Sequence, residues 1–153
     1  MAHEPGPLRV GVVSYFAPPD AAVASHRVMR LSRVLAAAGH EVHWVTIDEG
    51  RLRDRDDTLA VLAPKHVVRH RLGGPTLWSL GASRTLLEKV RRTIAYELGR
   101  RLPIPDNHYE WVRRLRRRLP ALARRQRFDA VLMTCGPHGQ LLALPGLRRA
   151  VPG

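Results

Sequence analysis

A chain of 153 residues with 44% apolar content is long enough to form one domain, burying roughly 70% of its unfolded surface, and is too apolar for global disorder. Its formal net charge of +13 favours polyanionic partners: phosphate esters, nucleic acid or an anionic membrane face. The single cysteine, Cys135, excludes an internal disulfide and a cysteine-built zinc site, and no apolar run reaches the ~20 residues of a membrane-crossing helix.

Residues 1–7 hold Pro5, Gly6 and Pro7 and are expected to be disordered. They lack the basic-then-apolar layout of a secretory leader, so a cytoplasmic protein is the expectation. Leu8 to Ser14 is a short, valine-rich run, the pattern of a parallel strand buried on both faces. Pro18 and Pro19 bar a helix from the loop that follows, Tyr15 to Ala24. Ser25 is then the expected N-cap of a helix. Val28, Leu31, Val34, Leu35 and Ala38 recur at helical spacing, and Gly39 is placed to stop it. Glu41 to Ile47 reads as a second strand. Strand, helix and strand within 40 residues make a right-handed βαβ unit with parallel strands.

Arg51 to Asp57 reads as a charged loop, and Leu59 to Ala63 as a short element of open type. Lys65 to Leu72 is the expected third strand, closed by Gly73, Gly74 and Pro75. Ser83 to Arg101 predicts a helix with Leu87, Val90, Ile94 and Leu98 on one face, interrupted by Pro103, Pro105 and Asp106. His108 to Arg127 predicts another, with Trp111, Leu115, Leu119 and Leu122 aligned; Pro120 should kink or restart it. Phe128 to Thr134 is the fourth strand, and Cys135 at its end is expected to be buried. His138 to Arg149 reads as a last helix that Pro145 and Gly146 would break. The fold class expected is α/β: a Rossmann-like parallel sheet over residues 8–150, with strand order 3-2-1-4 and flanking helices.

Tyr15-Phe16-Ala17-Pro18-Pro19-Asp20, Ser25-His26-Arg27 at a helix start, and Ala38-Gly39-His40-Glu41-Val42 opening a strand follow one another in this order. Near the other end, Phe128 to Thr134 is followed by Gly136-Pro137-His138. This succession resembles the N-terminal, acceptor-side domain of family 4 glycosyltransferases. Gly136 stands where that family often has Pro, and Gly139 where it has Ser. The resemblance implies a two-domain GT-B enzyme that transfers a sugar from a nucleotide-sugar to a glycan or lipid-linked acceptor in the cleft between the domains. It implies no metal for catalysis and no cofactor beyond the donor as substrate. The family's C-terminal domain, with its carboxylate motif for the donor, has no counterpart in the 153 residues. The expectation is therefore an incomplete domain that does not transfer sugar by itself, with the outer edge of strand four unpaired and prone to self-association.

Loops 15–25 and 134–138 leave the carboxyl ends of strands one and four, where the strand order reverses and α/β proteins bind ligands. Helix starts attract phosphate, and arginine offers it a permanently charged fork. Asp20, Ser25, His26, Arg27, Thr134 and His138 are accordingly the residues expected to face substrate or phosphate. For Asp20 the competing role is a turn carboxylate. For His26, Arg27 and His138 it is an exposed polar residue. His40 is assigned to the helix-to-strand turn. His66 and His70 are four apart on a strand, which gives no chelating face, so no metal is expected. The arginines of Arg113–Arg127 admit three readings: a solvated helix face, a peripheral contact with an anionic membrane at its inner face, or nucleic acid. Nucleic acid is disfavoured, since no helix-turn-helix or RNP pattern is present and aromatics are only 5% of the chain. A basic α/β module for a membrane or nucleic acid is the alternative to an enzyme. A dinucleotide module is disfavoured because Ser14 to Pro19 replaces the G-x-G-x-x-G turn.

Overall fold

A computed structural model describes residues 6–48, 55–73, 85–101 and 108–151. The expected disorder of residues 1–5, the loop at 51–54, the turn at 74–75 and the interruption at 103–106 lie outside these residues. Four strands form one all-parallel sheet: β1 (Arg9–Val13), β2 (Glu41–Thr46), β3 (Val68–Arg71) and β4 (Ala130–Met133). Their order is β3-β2-β1-β4, as the sequence predicts. The register pairs Val10 with Val42 and with Ala130, so β1 is the central bridge between the two halves.

Alternation along β1 and β2 divides the core into two layers. Val10, Val12, Val42 and Trp44 pack with Val28 of α1 (Val23–Ala37). Val13, Val45 and Ile47 pack on the other face with Trp111, Leu115, Leu119 and Leu122 of α4 (Tyr109–Gln126). Both faces are therefore covered, which is why the strands read as continuous apolar runs. Gly11 lies where Phe128 crosses the sheet: a Cβ there would stand 2.7 Å from the Phe128 ring. Phe128 reaches that position because α4 ends on Arg127 in a left-handed conformation, φ 54°.

Helix α1 departs from the reading in two ways. It starts at Val23 with Ala22 as N-cap, so Ser25 lies inside the first turn and caps nothing. Its buried face is Ser25, Val28, Met29 and Ser32, whereas Val34 is 68% exposed. The indole N–H of Trp44 donates to Ser32 Oγ at 2.7 Å, and that hydroxyl donates to the Val28 carbonyl. This polar anchor turns a serine-containing stripe inward and Val34 outward. Gly39 closes the helix at φ 83°, with the N–H of His40 bonded to the Leu35 carbonyl. His40 Nδ1 accepts the Leu8 N–H at 3.3 Å, which fixes the helix-to-strand turn.

A short helix, α2 (Asp57–Val61), follows, capped by Asp56 through the Thr58 N–H. In helix α3 (Leu86–Arg101) the stripe residues Leu87, Val90 and Ile94 face solvent rather than the core, and the side chain of Leu98 lies outside the described residues. Helix α4 passes through Pro120 without restarting. Pro120 packs beside Gly146 of α5 (Leu144–Leu147), and the rows of Leu115, Leu119 and Leu122 on the sheet hold the helix together across the missing N–H. The last segment is a 3-10 helix (His138–Ala143) running into α5 rather than one α-helix. Cys135 is exposed, because β4 stops at Met133 and Cys135 lies out on the turn. Among the described residues β4 has one partner, β1, and its other edge is unpaired.

Candidate functional site at the carboxyl ends of strands one and four

The loop after β1 is held at several points. The Ser14 N–H donates to the Val45 carbonyl, and Ser14 Oγ to the Phe16 carbonyl at 2.6 Å. Thr46 Oγ1 donates to the Tyr15 carbonyl at 3.3 Å. Tyr15 is fully buried and packs edge-on against Trp111, with its ring 4.4 Å from that of His108. Strand β2 and helix α4 thus fix the loop before it reaches the prolines. Asp20 Oδ1 then accepts the Ala22 N–H at 2.7 Å, and its backbone bridges to Arg55. Asp20 is 9% exposed, so its placement is that of a turn carboxylate that starts α1.

Ser25, His26 and Arg27 diverge as consecutive helical residues must. Ser25 is buried against the sheet, and its Oγ has no hydrogen-bond partner. Arg27 is exposed on the opposite side, with His26 between them. Val23, His26, Arg27, Arg30, Leu31 and Val34 line an open groove of about 630 Å³ along the outer face of α1. Among the described residues neither Arg27 nor Arg30 takes part in an ion pair or hydrogen bond. They lie three apart on one face, where like charges repel. A phosphate between them would relieve that repulsion. His26 lies close enough to Asp56 to help hold that carboxyl below the usual range, although the Thr58 hydroxyl and N–H do most of it.

The second loop is fixed from behind. The Thr134 N–H and hydroxyl both point to the Val13 carbonyl, the hydroxyl at 3.4 Å. The Gln140 side chain donates to the Thr134 carbonyl and accepts the Trp111 indole N–H at 3.1 Å. Gly136 has φ 123°, open to glycine and closed to proline. His138 stands exposed at the start of the 3-10 helix. Thr134 therefore sits beside the end of β1 through Val13, and neither it nor His138 lines the α1 groove.

The six expected residues thus separate into two loop holders (Asp20, Thr134), one buried serine that holds nothing (Ser25), a half-buried His26, and the exposed Arg27 and His138. Arg30 was not singled out, although its spacing from Arg27 was readable. Gln140 was also missed, since a lone glutamine carries no pattern. A third polar group, on the α4 side of the sheet, was missed as well. Glu41 Oε1 lies 2.9 Å from His43 Nε2, and His43 Nδ1 lies 2.9 Å from His70 Nε2. The bond to His43 and then the one to Arg9 hold the Glu41 carboxyl low. Burial, then the nearness of His43 and Arg125, holds His70 below the ordinary histidine value. The basic residues Arg113, Arg116, Arg117, Arg118, Arg124 and Arg125 of α4 are exposed or half-exposed on the side away from its buried stripe. Among the described residues no three of His, Cys, Asp or Glu are grouped for a metal, and no helix is long and apolar enough to cross a membrane. No protein-family model matches the chain, and no curated protein matches it significantly.

Proposed function

We propose that this chain forms the acceptor-side wall of a glycosyltransferase of GT-B type, which moves a sugar from a nucleotide-sugar to a phosphate-bearing or lipid-linked acceptor. The observation that carries the reading is the pair of guanidiniums, Arg27 and Arg30, without a partner among the described residues, in a groove along the outer face of α1, the helix that follows the loop leaving β1. That loop lies at the reversal of strand order, the usual ligand position in open α/β sheets. In this reading Arg27, Arg30 and His26 neutralise the acceptor's anionic group, and Val23, Leu31 and Val34 cover its apolar part. Asp20 and Thr134 keep the two loops in place and touch no substrate. In the same reading His138, exposed at the start of the 3-10 helix after the second loop, is a further contact for the acceptor. In this reading a second Rossmann-like unit holds the nucleotide-sugar; the acceptor oxygen bonds to the anomeric carbon as the bond from that carbon to the β-phosphate oxygen breaks, so the nucleoside diphosphate leaves and takes up the hydroxyl proton directly or through solvent.

Thermal unfolding with nucleotide-sugars, phosphorylated sugars and polyprenyl phosphates tests it. A ligand at a hundred times its Kd adds about 2.7 kcal/mol, which raises Tm by roughly 5–10 °C at this chain length. The expected result is such a rise with at least one phosphate-bearing glycan or lipid, abolished by Arg27→Ala with Arg30→Ala. No rise with any of them, or a rise indifferent to both arginines, would falsify the reading. Binding of RNA or DNA that falls steeply with salt, without any response to sugars, would favour the basic-module alternative.

A further inference from the structure

A line of polar side chains runs along the α4 side of the sheet. Arg9 Nε donates to Glu41 Oε2 at 2.9 Å, and Glu41 Oε1 faces His43 Nε2 at 2.9 Å. His43 Nδ1 in turn faces His70 Nε2 at 2.9 Å. His43 is buried and His70 half-buried, with their rings parallel to within 5°. Phe128 stands edge-on to both. The register pairs His43 with Val68, so its contact with His70 is a diagonal one between β2 and β3. Among the described residues β3 is an edge strand with β2 as its one partner, and His70 Nδ1 makes no hydrogen bond.

Hydrogen-bond chemistry leaves one arrangement for the neutral rings. An ionised carboxylate only accepts, so His43 Nε2 carries the hydrogen and His43 Nδ1 is a lone pair. His70 Nε2 then donates to that lone pair, and His70 Nδ1 is the open acceptor. A proton added at His70 Nδ1 is passed on: the His70 Nε2 hydrogen moves to His43 Nδ1, His70 is left neutral, and His43 becomes the imidazolium beside the Glu41 carboxylate. The bond between the rings survives with its direction reversed. A second proton has no such place. Both facing nitrogens would then carry hydrogens with no lone pair between them, and the charge of Arg125 adds to that of two imidazoliums.

We infer that Glu41, His43 and His70 form a single-proton latch on edge strand β3: one proton shared by the two rings keeps β3 clasped to β2, and a second breaks the clasp and releases β3. Among the described residues the charged and titratable groups around it are Arg9 from β1, Glu41 and His43 from β2, and Arg125 from α4, with Phe128 as the apolar wall. Burial, then the nearness of His43 and Arg125, holds His70 below the ordinary histidine value, as expected of the ring that resists the second proton. The protons therefore add in two steps that belong to the pair and not to either ring. The latch uses none of the groove residues on α1 and does not depend on sugar transfer.

The test is an acid titration of the full isotope-labelled chain, read by long-range proton–nitrogen NMR of the imidazole rings and by backbone amide exchange. Before acid is added, both rings should show the Nε2–H tautomer. The two rings should then move together to a plateau of one proton per pair. In the second step, below the ordinary histidine range, exchange at Val68–Arg71 should accelerate by on the order of tenfold, the loss of one charge-assisted bond, while Val10–Val13 stays protected. Glu41→Gln should lower the first midpoint, because the His43 imidazolium loses its counterion. His70→Gln still offers His43 a donor or an acceptor but takes up no proton, so exchange at Val68–Arg71 should no longer respond to acid. Four results would overturn the inference: an Nδ1–H tautomer on His43 at the start, separate titration of each ring to full imidazolium with β3 still protected, loss of protection at Val10–Val13 together with Val68–Arg71, or an undiminished acid response of β3 in His70→Gln.

Discussion

Ser25→Ala should stabilise this protein. The Ser25 side chain is fully buried in the first turn of α1, and its Oγ makes no hydrogen bond. A buried hydroxyl without a partner costs about 1–3 kcal/mol in lost hydration. Alanine removes that cost and adds about 0.5 kcal/mol of helix propensity. Against this stands the loss of one packed atom, worth about 0.5 kcal/mol in contacts. The net gain is about 1–3 kcal/mol. With a urea slope of ~2 kcal/mol per molar, the unfolding midpoint should rise by about 0.5–1.5 M at unchanged slope. Urea titration followed by far-ultraviolet circular dichroism measures it. A midpoint that stays or falls would refute the reasoning, since it would mean that a bound water or a ligand satisfies the hydroxyl. The same variant should leave any phosphate response unchanged, because Arg27 and Ser25 lie on opposite sides of the helix.

Gly11→Ala should cost about 1–3 kcal/mol, because the new methyl would meet the Phe128 ring at 2.7 Å; Phe128→Leu in the same chain should recover part of it, and equal urea midpoints for Gly11→Ala and the parent would contradict the packing. Gln140→Leu strands both the Trp111 indole N–H and the Thr134 carbonyl and should lower stability by about 2–4 kcal/mol, with a changed tryptophan emission maximum as the second readout. His70 is held below its ordinary value of 6.5, so the unfolded chain binds the proton first as pH falls. The His70 contribution to stability is then complete above pH 6.5 and is lost as pH drops from there towards the lowered native value. His70→Gln should flatten the stability profile in that window, and a profile as steep as the parent's would count against the assignment. The Glu41 contribution, of opposite chemistry but the same slope, should be lost only below its ordinary 4.5.

The strand order was legible because three local signals agree. Valine-rich runs without polar alternation demand cover on both faces, Gly39 ends the first helix where the chain must turn, and parallel strands require right-handed crossovers. What the sequence concealed was rotation. Apolar spacing alone put Val34 in the core, but Trp44 carries an indole N–H that needs a partner when buried, and Ser32 supplies it. Cys135 was assigned to the interior from the habits of cysteine, yet β4 ends two residues before it. The stripe on α3 was visible, but whether anything covers a stripe is a property of the rest of the molecule.

The candidate site was legible in position more than in role. Asp20 follows two prolines and takes the Ala22 N–H, so α1 starts at Val23, three residues earlier than a Ser25 cap would start it. Ser25 is then a first-turn residue on the face that packs on the sheet, buried without a hydrogen bond. Arg27 lies about 200° round the helix from it, in line with Arg30. The chemistry open to a ligand is therefore cationic and apolar side by side: two guanidiniums and an imidazole along a strip of Val23, Leu31 and Val34. A free inorganic phosphate would use only half of that surface, and a nucleic acid backbone the same half. A phosphate ester with an aliphatic tail uses all of it. Methyl phosphate should therefore bind more weakly than a phosphate carrying a short isoprenoid chain, by on the order of tenfold for each two methylenes covered. Equal affinity for the two would show that the valines and leucine of the groove contribute nothing.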